Sequence, residues 1–495
     1  MPFFAVCYDN KKGGGCVKQK KYEIDMIHGA LLPKLLLFSL PLMLSGCLQL
    51  AFNAADVIVV GRFAGDTALA AVGSTTSLVN LLTNVFIGLS VGANVIMAHD
   101  WGAQAYSDAQ ETITTAITMS LLSGVALVFI GFFFARPLLL WMGSPEDVLD
   151  LSVLYIRVFF LGMPMTMVYN FGSALLRAFG DTRRPLYYLT LAGFINVPLN
   201  LLFVIVFHMS VAGVALATII AQTVSAALVV RCLTKLDGPC RLDLKNLRIN
   251  KHKLLRMLRI GLPAGIQGSL FSLSNVLIQS SVNSFGSVVM AGNAAANSVE
   301  GFIYTAMNSI HQAAVSFTSQ NMGAGLFKRI DKIAVRCFAL VIAIGLLLGV
   351  GALFAGELLL GFYSTEAEVI AAGMVRLKIM LTAYFLCGLM ESAMGIMRGM
   401  GYSVIPMLVS LAGACAFRIL WLNTFFAWDP RIEVLYWSYP ISWVLTFAAH
   451  VTSYLIVRPR VYAAFHKGLQ KQQRLEYEKT QEQRPRGTLH RLFRH

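Results

Sequence analysis

The sequence predicts an all-α integral membrane protein with twelve transmembrane helices in two pseudo-symmetric six-helix lobes. Three observations predict it. The 495 residues are 57% hydrophobic and 13% charged, with mean hydropathy +0.66, whereas soluble domains carry roughly 25% charged residues. Apolar runs of about eighteen residues or more, long enough to cross roughly 30 Å of hydrocarbon as helices, recur from end to end. The second half also repeats landmarks of the first at a nearly constant spacing.

The predicted spans are residues 32–52, 75–98, 112–134, 151–174, 187–207, 211–230, 257–280, 292–315, 334–355, 373–395, 404–426 and 436–457. They divide the chain into a polar N-terminal segment 1–30, expected to be cytosolic and disordered, an N-lobe 31–230, a basic inter-lobe loop 231–256, a C-lobe 257–457 and a basic tail 458–495. No apolar stretch with a small-residue cleavage site stands between Met1 and Ala30, so no cleaved leader is expected.

The net charge of +15 sits beside the spans. Residues 231–259 hold nine Lys/Arg against two Asp, and residues 458–495 hold ten against three Glu. Such clusters follow the positive-inside rule and predict anionic lipid, not nucleic acid, as their partner. They place both termini in the cytosol of a multi-pass protein of the cell (inner or plasma) membrane. The eight cysteines show no metal-ligand spacing, so free thiols and no structural zinc are expected. There is no Gly-x-x-x-x-Gly-Lys-Ser/Thr loop either, and with it no case for an enzyme. No cofactor and no obligate protein partner are expected.

The repeat is most legible at two span ends. "SALLRAFGDTRRP" at 173–185 and "MGIMRGMGYSVIP" at 394–406 share Arg, Gly and Pro, setting Arg177, Gly180 and Pro185 against Arg398, Gly401 and Pro406, an offset of 221. "WGAQ" at 101–104 faces "MGAG" at 322–325, and Pro41 faces Pro263. Six spans repeated once enter the membrane in the same sense, so the lobes should be related by an axis along the membrane normal. Two such lobes are what alternating access requires. Arg177 and Arg398, at expected cytosolic ends, read as snorkelling or capping residues.

Ionisable groups in spans are costly and usually functional or paired. Asp56 is either an ion site or, if the first span ends near Ala54, an interfacial residue. Asn53 lies on the same helical face and is positioned to donate to it. In the fifth span Asn196 and Asn200 share a face, with Pro198 between them freeing a backbone carbonyl. The C-lobe offers Glu300 and Glu391. Gln267, Asn275 and Gln279 of the seventh span are candidate polar residues of a substrate cleft. Met163, Met165, Met167, Met307, Met394 and Met397, with Tyr155 and Tyr169, suit a pocket accepting several hydrophobic shapes, and lipid packing explains them equally well.

Several of these segments resemble the multidrug and toxic compound extrusion (MATE) family. "LPLMLSGCLQLAFNAADVIVVGRFAGDTALAAVG" at 40–73 is similar to its first-helix segment, and "GLSVGANVIMAHDWGAQ" at 88–104 to the end of its second helix. "LLRAFGDTRRP" and "IMRGMGYSVIP" resemble its fourth and tenth helix ends. The resemblance implies a secondary active exporter of amphipathic, often cationic, small molecules, driven by inward Na+ or H+ through alternating access. It aligns Asp56 with the family's cation-coupling acid and makes Asp56 and Glu391 candidate ligands of a transported Na+. Where relatives carry Asn-x-x-x-Asp in the fifth helix, this chain has Asn200, so the N-lobe holds one acid rather than two. The seventh span has no acid at all. The alternatives are a lipid-linked oligosaccharide flippase of the same superfamily, which needs an Arg/Lys-rich cleft, and, from another class, an ion channel, which needs a continuous hydrophilic stripe.

Overall fold

A backbone in hydrocarbon has no water to bond to, so each apolar run closes its own hydrogen bonds as a helix. The computed structural model describes residues 22–142, 145–236 and 240–482. The expected disorder of residues 1–21 and the end of the basic tail, 483–495, lie outside the described residues.

Among the described residues twelve long helical segments follow in order, with a short helix, Gly356–Gly361, between the ninth and tenth. The N-lobe contains α1 (Leu31–Phe63), α2 (Asp66–Gly102), α3 (Tyr106–Trp141), the bent α4 (Glu146–Leu161 and Met163–Ala178), α5 (Arg183–Val206) and α6 (Ser210–Thr234). The C-lobe contains α7 (Lys251–Asn283), α8 (Ser287–Gly323), α9 (Phe327–Phe354), α10 (Ala367–Gly399), α11 (Val404–Phe426) and α12 (Ile432–Glu482). Nine are long and apolar enough to span on length and composition, and the α4 pair makes a tenth. The other two, α7 and α8, have apolar runs broken by interior polar residues such as Gln267 and Asn293. The chain divides into two compact units, Met1–His450 and Val451–His495. All packing described below lies within the first.

Most helices run past their predicted bounds, the second starting at Asp66 and the twelfth reaching Glu482, and two spans differ in a way that shapes the interior. The first helix continues past residue 52 to Phe63, so Asp56 is helical and half-buried instead of lying beyond the helix end. The fourth is broken by a 49° bend between Leu161 and Met163. Pro164 starts the second piece, where its missing N–H costs no helical bond. Residues 22–30 also depart from the expected disorder. Met26 is fully buried, its carbonyl accepts from Asn321 Nδ2 at 3.0 Å, and Ile24 N donates to Gly180 O at 3.2 Å. This short segment therefore bonds to both lobes.

The internal repeat is visible in the backbone. Positive φ recurs at Gly65 and Gly286, at Gln104 and Gly325, and at Gly180 and Gly401, each pair 221 positions apart. The lobes meet through matching pairs, α1 with α8 and α2 with α7, and through α2 with α8. The last contact is reciprocal. A Cβ on Gly102 would lie 2.0 Å from Gln320 O, and one on Gly323 would lie 2.1 Å from His99 O. Such self-complementarity is the mark of a two-fold axis.

Between α2 and α7 the backbones approach at Gly88 and Gly92 on one side and Gly261 and Gly265 on the other. This is the small-residue packing that membrane helices use where no hydrophobic force brings them together. Just beyond, a buried ion pair joins the lobes. Lys253 Nζ lies 2.7 Å from Asp100 Oδ2, which also accepts from Thr112 Oγ1 at 2.7 Å. Gly265→Ala, whose Cβ would lie 2.3 Å from Val85 O, should destabilise the protein by about 1–3 kcal/mol. Gly73→Ala, where a Cβ meets nothing within 4 Å, should stay within about 0.5 kcal/mol. Unfolding midpoints in detergent check both.

Candidate functional site

Three polar centres occupy the interior, and each is assembled from residues far apart in sequence. In the N-lobe, α1 brings Asp56 to Asn200 of α5, whose Nδ2 donates to the Asp56 carboxylate. Asn200 Nδ2 also lies 3.2 Å from Asn196 Oδ1, and Asn196 Nδ2 lies 3.4 Å from Thr218 Oγ1 on α6. Pro198 sits between the two asparagines inside the helix. Asn200 Oδ1 is buried without a hydrogen-bond partner. No basic side chain pairs with Asp56 among the described residues. The expected donor, Asn53, does not reach it: Asn53 is exposed and faces the central cavity instead.

In the C-lobe, Glu300 of α8 is committed to a counter-charge. Arg376 of α10 holds it with two parallel bonds, Nε to Oε1 at 2.8 Å and Nη2 to Oε2 at 2.9 Å. The third arm, Nη1, donates to Asn293 Oδ1 at 2.7 Å, which also accepts from Tyr436 Oη at 3.2 Å. Gln279 joins this network through Asn293 Nδ2 at 2.9 Å and does not line the central cavity; Asn275 is exposed and does not line it either.

The third centre is a cavity of about 670 Å³ between the lobes, lined by α1, α2, α4, α5, α6, α7, α8 and α10. Of the cleft residues expected from sequence it contains Gln267, and of the candidate acids it contains Glu391 alone. His311 Nδ1 lies 2.7 Å from the Glu391 carbonyl and 3.7 Å from its carboxylate. Gln267 bridges Met394 Sδ at 2.9 Å and Arg398 Nη2 at 2.7 Å. Tyr169 and Tyr304 contribute aromatic wall.

Arg177 and Arg398 correct the sequence reading. They are cavity-lining groups, not snorkelling residues at a membrane face. They bring two arginines into the cleft, the residue type that a flippase of the same superfamily needs there. Their matching place in the repeat was a legible signal, since both lobes contribute the same residue to one central space. Arg376 was missed although it stands inside the tenth span; a basic residue there signals a buried acid nearby. Thr218 and His311 carried no signal, because lone polar residues in apolar runs are common. Among the described residues no three His, Cys, Asp or Glu side chains form a metal site.

Twelve helices in two repeated lobes around a polar cavity define a membrane transporter. The MatE family model matches residues 41–202 and 263–421. The chain is 31% identical over 383 residues to the probable multidrug resistance protein YoeA of Bacillus subtilis, covering 76% of this chain and 82% of that one. It is 28% identical over 420 residues to the probable multidrug resistance protein YpnP of the same organism, covering 82% and 90%. A crystal structure of a MATE protein in complex with MaL6 superposes with TM-score 0.82 at 19% identity, over 90% of this chain and 99% of that one. The chain belongs to the MATE family of multidrug efflux transporters and is not an enzyme.

Breaking the Glu300–Arg376 pair leaves a buried charge alone. Arg376→Ala should cost about 3–5 kcal/mol, and Arg376→Met combined with Glu300→Leu should recover most of that loss. Denaturant unfolding of the three proteins measures it; a cost below about 1 kcal/mol would contradict the assignment.

Proposed function

We propose that the chain is a secondary active antiporter that expels amphipathic small molecules in exchange for Na+ or H+, through alternating access of the central cavity. One observation carries the coupling assignment: Asp56 is an embedded carboxylate with only neutral partners, beside the unpartnered Asn200 Oδ1. An acid in that setting is costly when charged and uncompensated. A cation relieves the cost, either as a proton on the carboxylate or as Na+ held by carboxylate, amide and hydroxyl oxygens. The oxygens of Asp56, Asn196, Asn200 and Thr218 are hard ligands of the kind such cations take. Turning the Asn200 amide exchanges its donor for its acceptor, so the same residue serves the empty and the occupied state.

The site shares α1 with the cavity wall, through Asn53 on the next turn. Cation binding that repacks α1 against α5 therefore alters the cavity, and by reciprocity a bound substrate alters cation affinity. Glu391, on the cavity wall, serves the substrate, favouring cationic amphipaths. Glu300, held by Arg376, serves the lobe.

The lysine and arginine distribution supports a cell-membrane protein with cytosolic termini and a basic inter-lobe loop on anionic lipid. In that orientation the Gly88/Gly265 and Gly102/Gly323 contacts and the Asp100–Lys253 pair close the cytosolic end. The described state is then the outward-facing one, and reaching the inward state requires that seal to part.

Proteoliposomes loaded with a fluorescent organic cation test the proposal under separately imposed Na+ and H+ gradients. Efflux should follow one gradient. Asp56→Asn should reduce gradient-driven efflux at least tenfold with the folded protein intact, whereas Glu391→Gln should act chiefly on substrate affinity. Coupling that survives Asp56→Asn and disappears in Glu391→Gln would move the cation site to the C-lobe.

A further inference from the structure

We propose that the floor of the central cavity is an anion subsite, in which Arg177 and Arg398 hold a carboxylate or phosphate group of an amphipathic ligand. This rests on the export reading and names a substrate class that the reading does not contain.

Two guanidinium groups line one cavity from equivalent places in the two repeats, each one residue before the end of its helix. Neither touches a carboxylate among the described residues, although Glu391 acts on Arg398 at longer range. The Arg177 side chain makes no hydrogen bond or ion pair among the described residues. Arg398 is 6% exposed, commits Nη2 to Gln267 Oε1, and leaves its buried Nε without a partner. The remaining charged residue of the lining is Glu391. Its carboxylate lies within 4.0 Å of His311 but of neither arginine. His311 already engages the Glu391 carbonyl through Nδ1. The cavity thus carries two fixed positive charges against one negative.

A charge held away from water without a partner costs free energy, and breaking a buried pair shows how much. Elsewhere the fold satisfies its buried arginines: Arg376 is paired with Glu300, and Arg418 is held by Ser442 Oγ at 3.0 Å and lies over the Tyr439 ring at 4.1 Å. At Arg177 and Arg398 the described residues supply neither a contacting carboxylate nor a covering ring, and the single Glu391 does not balance the pair, so the remaining counter-charge comes from the ligand. A guanidinium presents parallel donors that match the two oxygens of a carboxylate or phosphate. Tyr169 and Tyr304 on the walls suit a flat aromatic body above the charged group. The ligand class is therefore a planar amphipath with one acidic group, and Glu391 admits a basic group on the same molecule.

The test uses the full chain in phosphatidylcholine nanodiscs and two probes, a xanthene dye with a free carboxylate and its methyl ester. Fluorescence polarisation should show the acid bound at least tenfold tighter than the ester. Arg177→Gln and Arg398→Gln should each remove most of that preference, and the Lys variants should retain part of it. Should an arginine variant fail to fold, Glu391→Gln keeps the test decisive, because it should tighten the acid probe several-fold relative to the ester. Repeating the measurement with phosphatidylglycerol separates the sources of the anion. Loss of dye binding there assigns the subsite to a lipid headgroup, and persistence assigns it to a soluble amphipath; both support the subsite. Equal binding of acid and ester by the unmodified chain, or an unchanged preference in both Gln variants, overturns it. Binding needs no ion gradient, so absent vesicle transport with the preference retained removes the export reading alone.

Discussion

A charge carried into the membrane interior must find a counter-charge, a cage of polar groups or a mobile ion, and this requirement sorts the ionisable groups that seal the lobes and line the sites. Glu300 finds Arg376 in a two-pronged ion pair and becomes part of the C-lobe framework. Asp100 finds Lys253 and joins the lobes at one end. Asp56 finds only the Asn200 amide and the Thr218 hydroxyl, which solvate a carboxylate without neutralising it. Arg177 and Arg398 find less still. The first two groups are structural because their partners are fixed. The others remain available to something that arrives and leaves, which a transporter needs of its binding groups.

The packing that makes such a site useful comes from the smallest side chains. Glycines at Gly88, Gly92, Gly261 and Gly265 let α2 and α7 touch backbone to backbone. Reciprocal contacts at Gly102 and Gly323 place the two-fold axis at the same seal. Contact between lobes is therefore concentrated at one end, while the cavity occupies the space between them. A seal built from close packing and one buried ion pair is discrete: it is either formed or broken, and packed interfaces switch between arrangements more readily than they deform.

Much of this was legible in the sequence. Each predicted span falls on a helix, including α7 and α8, whose apolar runs are broken by polar residues, and the spacing of Arg177, Gly180 and Pro185 against Arg398, Gly401 and Pro406 anticipated the repeated backbone turns. Helix ends were less legible. The run after Asn53 is apolar enough to continue α1 to Phe63, and the polar Asn53 and Asp56 concealed that. Pairing was least legible of all, because sequence separation carries no information on which helices touch. Asn53, three residues from Asp56, looked like its partner; Asn200, 144 residues away, is the one that bonds. Arg177 and Arg398 were read by their nearness to helix ends, whereas their position relative to the two-fold axis decides where they point.

The central claim is that Asp56 changes its chemical state with the coupling cation. Infrared difference spectroscopy of the reconstituted protein tests it most directly, by recording carboxyl bands as pH is lowered or Na+ is added. The account predicts a carboxyl signal that responds to the cation in the unmodified chain and is missing from Asp56→Asn. Identical difference spectra from the two proteins would contradict it.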